Sequence, residues 1–265
     1  MHSRLSLKTL SCLIKTLLII IFIVKLEKFV IFELIKSPRT MKPIAYFTLA
    51  FAPAIALGLY FYLGPKYGNA FRKILIQSFI AGMLGVSVLA AAKILSSILG
   101  LNDLRSLKRL LFYSFITIGL ASELGKFVLY RYYIVPKKTI DRPIHGITMS
   151  VMTTLGFCSL ALPLFMLHLF TTQPAYPETL YAFIFVPANI IFAVVMGFFV
   201  GMGKFIKTYF TFTLTALLGA VFFHGLFIFT LMTQDFKLLS LFAFGSTVIV
   251  FILGIKAAMT DPETD

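Results

Sequence analysis

Short polar breaks divide this chain into long apolar runs, and the length of the runs limits what it can fold into. They cover about 44–63, 74–101, 110–135, 144–170, 180–203, 209–232 and 238–258. Each meets or approaches the roughly 20 residues that a helix needs to cross a bilayer core. Backbone groups in lipid must be satisfied internally, and membrane-barrel strands would be only about 10 residues long, so these runs are helices. The breaks carry turn and charge signals, among them Gly64-Pro65-Lys66, Asn102-Asp103, Pro136-Lys137-Lys138 and Gln173-Pro174. The pattern predicts an all-α polytopic transmembrane helix bundle of seven spans. Residues 41–258 form the bundle and 259–265 a short acidic tail.

Composition excludes the other classes. Hydrophobic residues make up 59% of the 265 positions and charged residues 13%, against roughly 45–50% and 25% in soluble domains. A soluble domain of this size could not enclose that much apolar surface. The only two cysteines, Cys12 and Cys158, lie in apolar runs far apart and give neither a CxxC nor a disulfide framework. The formal charge of +14 comes from short basic clusters between runs, with no nucleic-acid-binding motif, so the partner is a lipid bilayer rather than nucleic acid.

Residues 1–40 differ from the rest. Leu10–Val24 is apolar but short, interrupted by Lys15 and followed by Lys25, Glu27, Lys28, Glu33, Lys36 and Arg39. Three readings stay open: a signal-like segment, an extra N-terminal helix on or across the bilayer, and an appended stretch upstream of a start at Met41. Lys66, Arg72, Lys73, Arg131, Lys137, Lys138, Arg142, Lys204, Lys207 and Lys256 fall on one side of the seven-span topology. The other side has Arg105, Lys108, Arg109 and Lys237. The richer side is expected to be cytoplasmic, with the C-terminus. Residues 25–42 would then lie on the opposite side, which favours an appended segment.

Ionisable groups at membrane depth mark function by default. Glu123 and Lys126 lie in the third run, Asn189 in the fifth and His224 in the sixth. At 1.5 Å per residue, Glu123 is roughly 20 Å from Pro136, His224 about 25 Å beyond Lys207, and Asn189 about 15 Å below the other surface. These depths allow all three to meet in mid-bundle. Bland readings stand beside this one. Glu123 and Lys126, three residues apart, can neutralise each other, and Asn189 and His224 can be interhelical hydrogen-bonding groups. Lys93 and His168 are expected at the interface. No HExxH, GxSxG or P-loop is present, and Ser122 has no adjacent base.

Over about 41–258 the residues resemble the PrsW-type intramembrane proteases, relatives of the membrane-embedded CAAX-processing proteases. The family's Glu-Glu-x-x-Lys reads Ser122-Glu123-Leu124-Gly125-Lys126 here. A segment like Asp-x-Pro-x-Asp-Gly reads Asp141-Arg142-Pro143-Ile144-His145-Gly146, and Gly-Phe-x-x-x-Glu-Asn reads Gly156-Phe157-Cys158-Ser159-Leu160-Ala161-Leu162. A histidine ahead of a glycine-rich stretch is replaced by Asn189, before Gly197, Gly201 and Gly203. His-Gly-Leu-x-Asp reads His224-Gly225-Leu226-Phe227-Ile228. The resemblance implies peptide hydrolysis within the bacterial cytoplasmic membrane, by carboxylates and histidines that bind zinc or another divalent metal or directly activate water.

Of the implied set, Glu123, Lys126 and His224 survive. A catalytic zinc needs about three protein ligands and an open position, and Glu123 and His224 supply two, with His145 as a remote third. The resulting expectation is a catalytically degenerate PrsW-like bundle, a pseudoenzyme. It would receive a membrane-anchored protein helix in a cavity around Glu123, Asn189 and His224. An active endopeptidase with Glu123 and His224 as catalytic groups or metal ligands, a proton- or ion-coupled transporter and a purely structural subunit remain the alternatives.

Overall fold

The computed structural model describes residues 47–48, 50–57, 68–137, 142–166 and 178–260. Residues 50–57, inside the first apolar run, are helical. Six longer helices follow, each long and apolar enough to span a membrane. They are α1 (Asn69–Ile98), α2 (Leu107–Ile134), α3 (Pro143–Met166), α4 (Glu178–Phe205), α5 (Tyr209–Met232) and α6 (Phe236–Met259). The all-α polytopic bundle is therefore as expected, with six of the seven runs seen as long helices. The expected segments at 1–40 and 261–265 lie outside the described residues.

Local chemistry sets the helix ends. At the end of α1, Gly100 takes a φ of 66°. The Gly100 N–H donates to Ser97 O at 3.1 Å and the Leu101 N–H to Ser96 O at 2.9 Å, which closes the last turn on two otherwise unpaired carbonyls. Ser106 opens α2 by accepting from the Arg109 N–H, and Asp235 opens α6 by accepting from the N–H groups of Lys237 and Leu238. Pro143 is the first residue of α3, where its missing N–H costs nothing. At the far end of α2, Lys204 Nζ donates to Val135 O at 2.6 Å and Lys137 O at 2.8 Å.

Five helices close a ring. α3 packs between α1 and α4, α4 also packs on α5, and α2 closes the circuit between α5 and α1. α6 lies outside, mainly against α4 and α5, and buries only Ser246 and Ala257. α3 is the most enclosed of the six. Between membrane helices, association relies on close packing rather than on expelling water, and glycines supply it here. A Cβ on Gly82 would strike Thr153 O, one on Gly156 would strike Phe79 O, and one on Gly125 would strike Gly85 O. Gly146 meets Gly197 and Gly201 across α3 and α4, and Gly119 meets Gly225 across α2 and α5.

α2 is not uniform. Tyr113–Leu120 and Tyr130–Ile134 are π-helical, and the α-helical segment Ala121–Leu129 lies between them. Such wide turns are rare and are frequent at functional sites. They flank the segment that carries Glu123 and Lys126.

If the glycine contacts hold the ring, Gly156→Val will destabilise the protein by about 1–3 kcal/mol through overpacking. Gly254→Ala on α6, where a Cβ meets nothing within 4 Å, will change stability by less than about 0.5 kcal/mol. Thermal unfolding of both variants in lipid nanodiscs checks this, and equal effects would refute it.

Candidate functional site

Glu123, Lys126, Asn189 and His224 are all enclosed, at 0%, 1%, 0% and 1% exposure. Glu123 and Lys126 sit one turn apart on α2, and the ring brings α4 and α5 against them. Lys126 Nζ donates to Glu123 Oε1 at 2.6 Å and to Asn189 Oδ1 at 3.0 Å. His224 Nδ1 stands 2.6 Å from the same Glu123 oxygen. A carboxylate only accepts, so with Glu123 ionised it is a protonated Nδ1 that faces it. With Glu123 and Lys126 both charged, the cluster is neutral without a charge on the imidazole.

Neighbouring groups fix each side chain. Asn189 Nδ2 donates to Phe185 O, one turn back on α4, at 2.9 Å. This orients Oδ1 toward the ammonium. Phe192, on the same helix, stacks on the His224 ring with centroids 4.9 Å apart. Lys126 Nζ also lies 4.9 Å from the centre of the Phe157 ring on α3, within reach of a cation–π attraction. Tyr130 O–H donates to Gly146 O at 2.9 Å and ties the second π-turn to α3. Every helix of the ring except α1 thus contributes a side chain or a backbone group.

Three buried polar atoms beside these bonds find no hydrogen-bond partner among the described residues: Glu123 Oε2, His224 Nε2 and Ser122 Oγ. Leaving such an atom unsatisfied costs about 1–3 kcal/mol. A site that tolerates this has polar capacity in reserve.

The other residues singled out in the sequence fare differently. Phe157 is fully buried beneath Lys126. Asp141 lies outside the described residues. His145 falls in the first turn of α3, edge-on to Phe71 at 5.1 Å. It is 12 residues before Phe157, or about 18 Å along the helix, so it stands well away from the cluster. Lys93 was expected to snorkel, but it is only 5% exposed, with its ammonium 4.7 Å from the Phe165 ring centre and 5.9 Å from that of Tyr113. Periodicity could not reveal this aromatic enclosure, because the rings come from α2 and α3.

The donor set does not suit a divalent metal. Among the described residues no three His, Cys, Asp or Glu side chains gather closely enough to hold an ion. Glu123 and His224 offer two ligands against the three of catalytic zinc sites. The next polar neighbour is an ammonium, which repels a metal and already neutralises the carboxylate.

Breaking the buried pair by Lys126→Met should cost about 3–5 kcal/mol, because Glu123 is left charged in an apolar surround. The double variant Glu123→Gln/Lys126→Met should be more stable than Lys126→Met alone, as unfolding in nanodiscs would show. A double variant no more stable than Lys126→Met would mean that the pair is not coupled.

Comparison with known proteins agrees with this architecture. A family model described as PrsW family intramembrane metalloprotease matches residues 71–255. The chain is 27% identical over 156 residues to "Protease PrsW" of Shouchella clausii (strain KSM-K16), covering 59% of this chain and 68% of the relative. It is 24% identical over 185 residues to "Protease PrsW" of Geobacillus kaustophilus (strain HTA426), covering 69% and 78%. No solved structure matches it. The family match spans the whole helix ring and both the Glu123 and His224 blocks, and on that ground the chain belongs to the PrsW family of intramembrane metalloproteases.

Proposed function

We propose that this protein is a catalytically degenerate member of its family, which receives membrane-anchored protein segments without hydrolysing them. The observation that carries this reading is the allocation of one oxygen. Glu123 Oε1 accepts from both Lys126 and His224, so the cluster is internally neutralised. Adding a divalent cation there would leave a large uncompensated positive charge in a dry interior. A hydrolytic site must also admit water and a peptide carbonyl, and Glu123, Asn189 and His224 are closed off from solvent. Membrane-anchored segments are chosen as the partner on the strength of family membership, since the matching family is described as intramembrane metalloproteases.

One observation favours a second reading, an active endopeptidase. Glu123 Oε2 and His224 Nε2 have no hydrogen-bond partner among the described residues, and together they could hold and deprotonate a water. Two measurements on purified full-length protein separate the readings: zinc content by mass spectrometry, and cleavage of a lipid-embedded single-span peptide. Degeneracy predicts zinc far below one ion per chain and no cleavage above that of Glu123→Gln. Stoichiometric zinc, with turnover abolished in Glu123→Gln, would establish the active enzyme instead.

The same reading places the basic end of the bundle, with Arg131, Lys204 and Lys256, in the cytoplasm together with the C-terminus. A C-terminal fluorescent-protein fusion should therefore fluoresce in bacteria, and a C-terminal alkaline phosphatase fusion should be inactive. The reverse pattern would invert the topology.

A further inference from the structure

We propose that Arg131, where α2 meets α5 at the basic end, anchors a binding site for the phosphate headgroup of an anionic phospholipid. Arg131 is partly buried, and its Nε donates to Thr213 Oγ1 on α5 at 3.3 Å. That bond fixes the fork, and its two terminal nitrogens make no hydrogen bond to the described residues. The Tyr132 ring lies 5.9 Å and the Tyr209 ring 5.6 Å from its central carbon. Both tyrosines are exposed, at 69% and 47%. The plane is held while its donor edge stays available, the arrangement that suits bidentate recognition of phosphate.

The local backbone sets this arrangement. Arg131 lies within the π-helical turn Tyr130–Ile134. In this turn Tyr130 points inward to Gly146 O, while Tyr132 and Tyr133 are exposed.

Charge and depth identify the occupant. Lys73, Lys137, Lys204 and Lys207 share this end of the bundle, whereas among the described residues Asp103 and Asp235 stand at the other end and Glu123 at mid-depth; in the sequence Asp141 and the acidic tail after α6 also belong to the basic end, where basic residues still predominate. Arg131 is three residues before Ile134, the last residue of α2, about 5 Å inside the helix end. The neighbouring Phe210 is 81% exposed. A guanidinium framed by tyrosines, at the level where apolar surface begins, meets a lipid phosphate whose acyl chains can cover Phe210. A soluble anion would gain nothing from that surface.

The test uses full-length protein in nanodiscs of mixed phosphatidylglycerol and phosphatidylcholine, with retained lipids counted by native mass spectrometry. Wild-type protein should retain phosphatidylglycerol preferentially. Arg131→Gln should lower that preference about tenfold, the loss expected for one charge-assisted pair. Lys73→Gln removes an exposed charge at the same end and should leave the preference unchanged. Should Arg131→Gln fail to fold, Thr213→Val, which frees the fork without removing charge, should still lower it. No preference in the wild type, equal loss in Lys73→Gln and Arg131→Gln, or an unaltered preference in folded Arg131→Gln or Thr213→Val would each overturn the site. Displacement of the lipid by glycerol phosphate at matched concentration would assign the site to a soluble anion and overturn the proposal as well.

Discussion

A single carboxylate oxygen joins the centre of this bundle. Glu123 Oε1 takes one hydrogen bond from its own helix and one from α5, and Lys126 passes the interaction on to α4 through Asn189. An ionised carboxylate far from water is tolerated only when paired and hydrogen-bonded. Here the pair depends on α2, α4 and α5 all being in place. The interaction therefore selects one arrangement of helices more than it strengthens the fold, since buried ion pairs gain little over apolar contacts of equal volume.

Glycines make that arrangement attainable. Long side chains at Gly85, Gly125, Gly119 and Gly225 would hold α2 away from α1 and α5. The short bonds of the cluster require backbones close enough for a lysine and a glutamate one turn apart to reach both neighbours. The two π-turns in α2 change the angular position of the residues beyond each of them. Glu123 faces the interior, while Arg131, eight residues on, reaches Thr213 on α5.

Much of this was legible in the chain, because the lipid solvent leaves few choices. Apolar runs of about 20 residues imply helices, and turn residues separate them. The depth arithmetic for Glu123, Asn189 and His224 allowed the meeting that the ring provides. The neutralisation of Glu123 by Lys126 could be anticipated from their spacing alone. The neighbour order α1-α3-α4-α5-α2 could not, since apolar faces toward lipid and toward helices read alike. Nor could the π-turns at Tyr113–Leu120 and Tyr130–Ile134, which have no hydrophobic period of their own. Lys93 shows the same limit, as its enclosure depends on Tyr113 and Phe165 from other helices.

The departures from the family pattern make physical sense together. Ser122, Ala161 and Ile228 stand where the resemblance implies acidic residues, and all three are buried. With the one ammonium of the cluster already paired to Glu123, a second carboxylate at any of these positions would need a further positive partner in a low-dielectric interior. Neutral residues at all three positions, with Asn189 accepting from Lys126 where a histidine is implied, leave a cluster balanced by one anion and one cation.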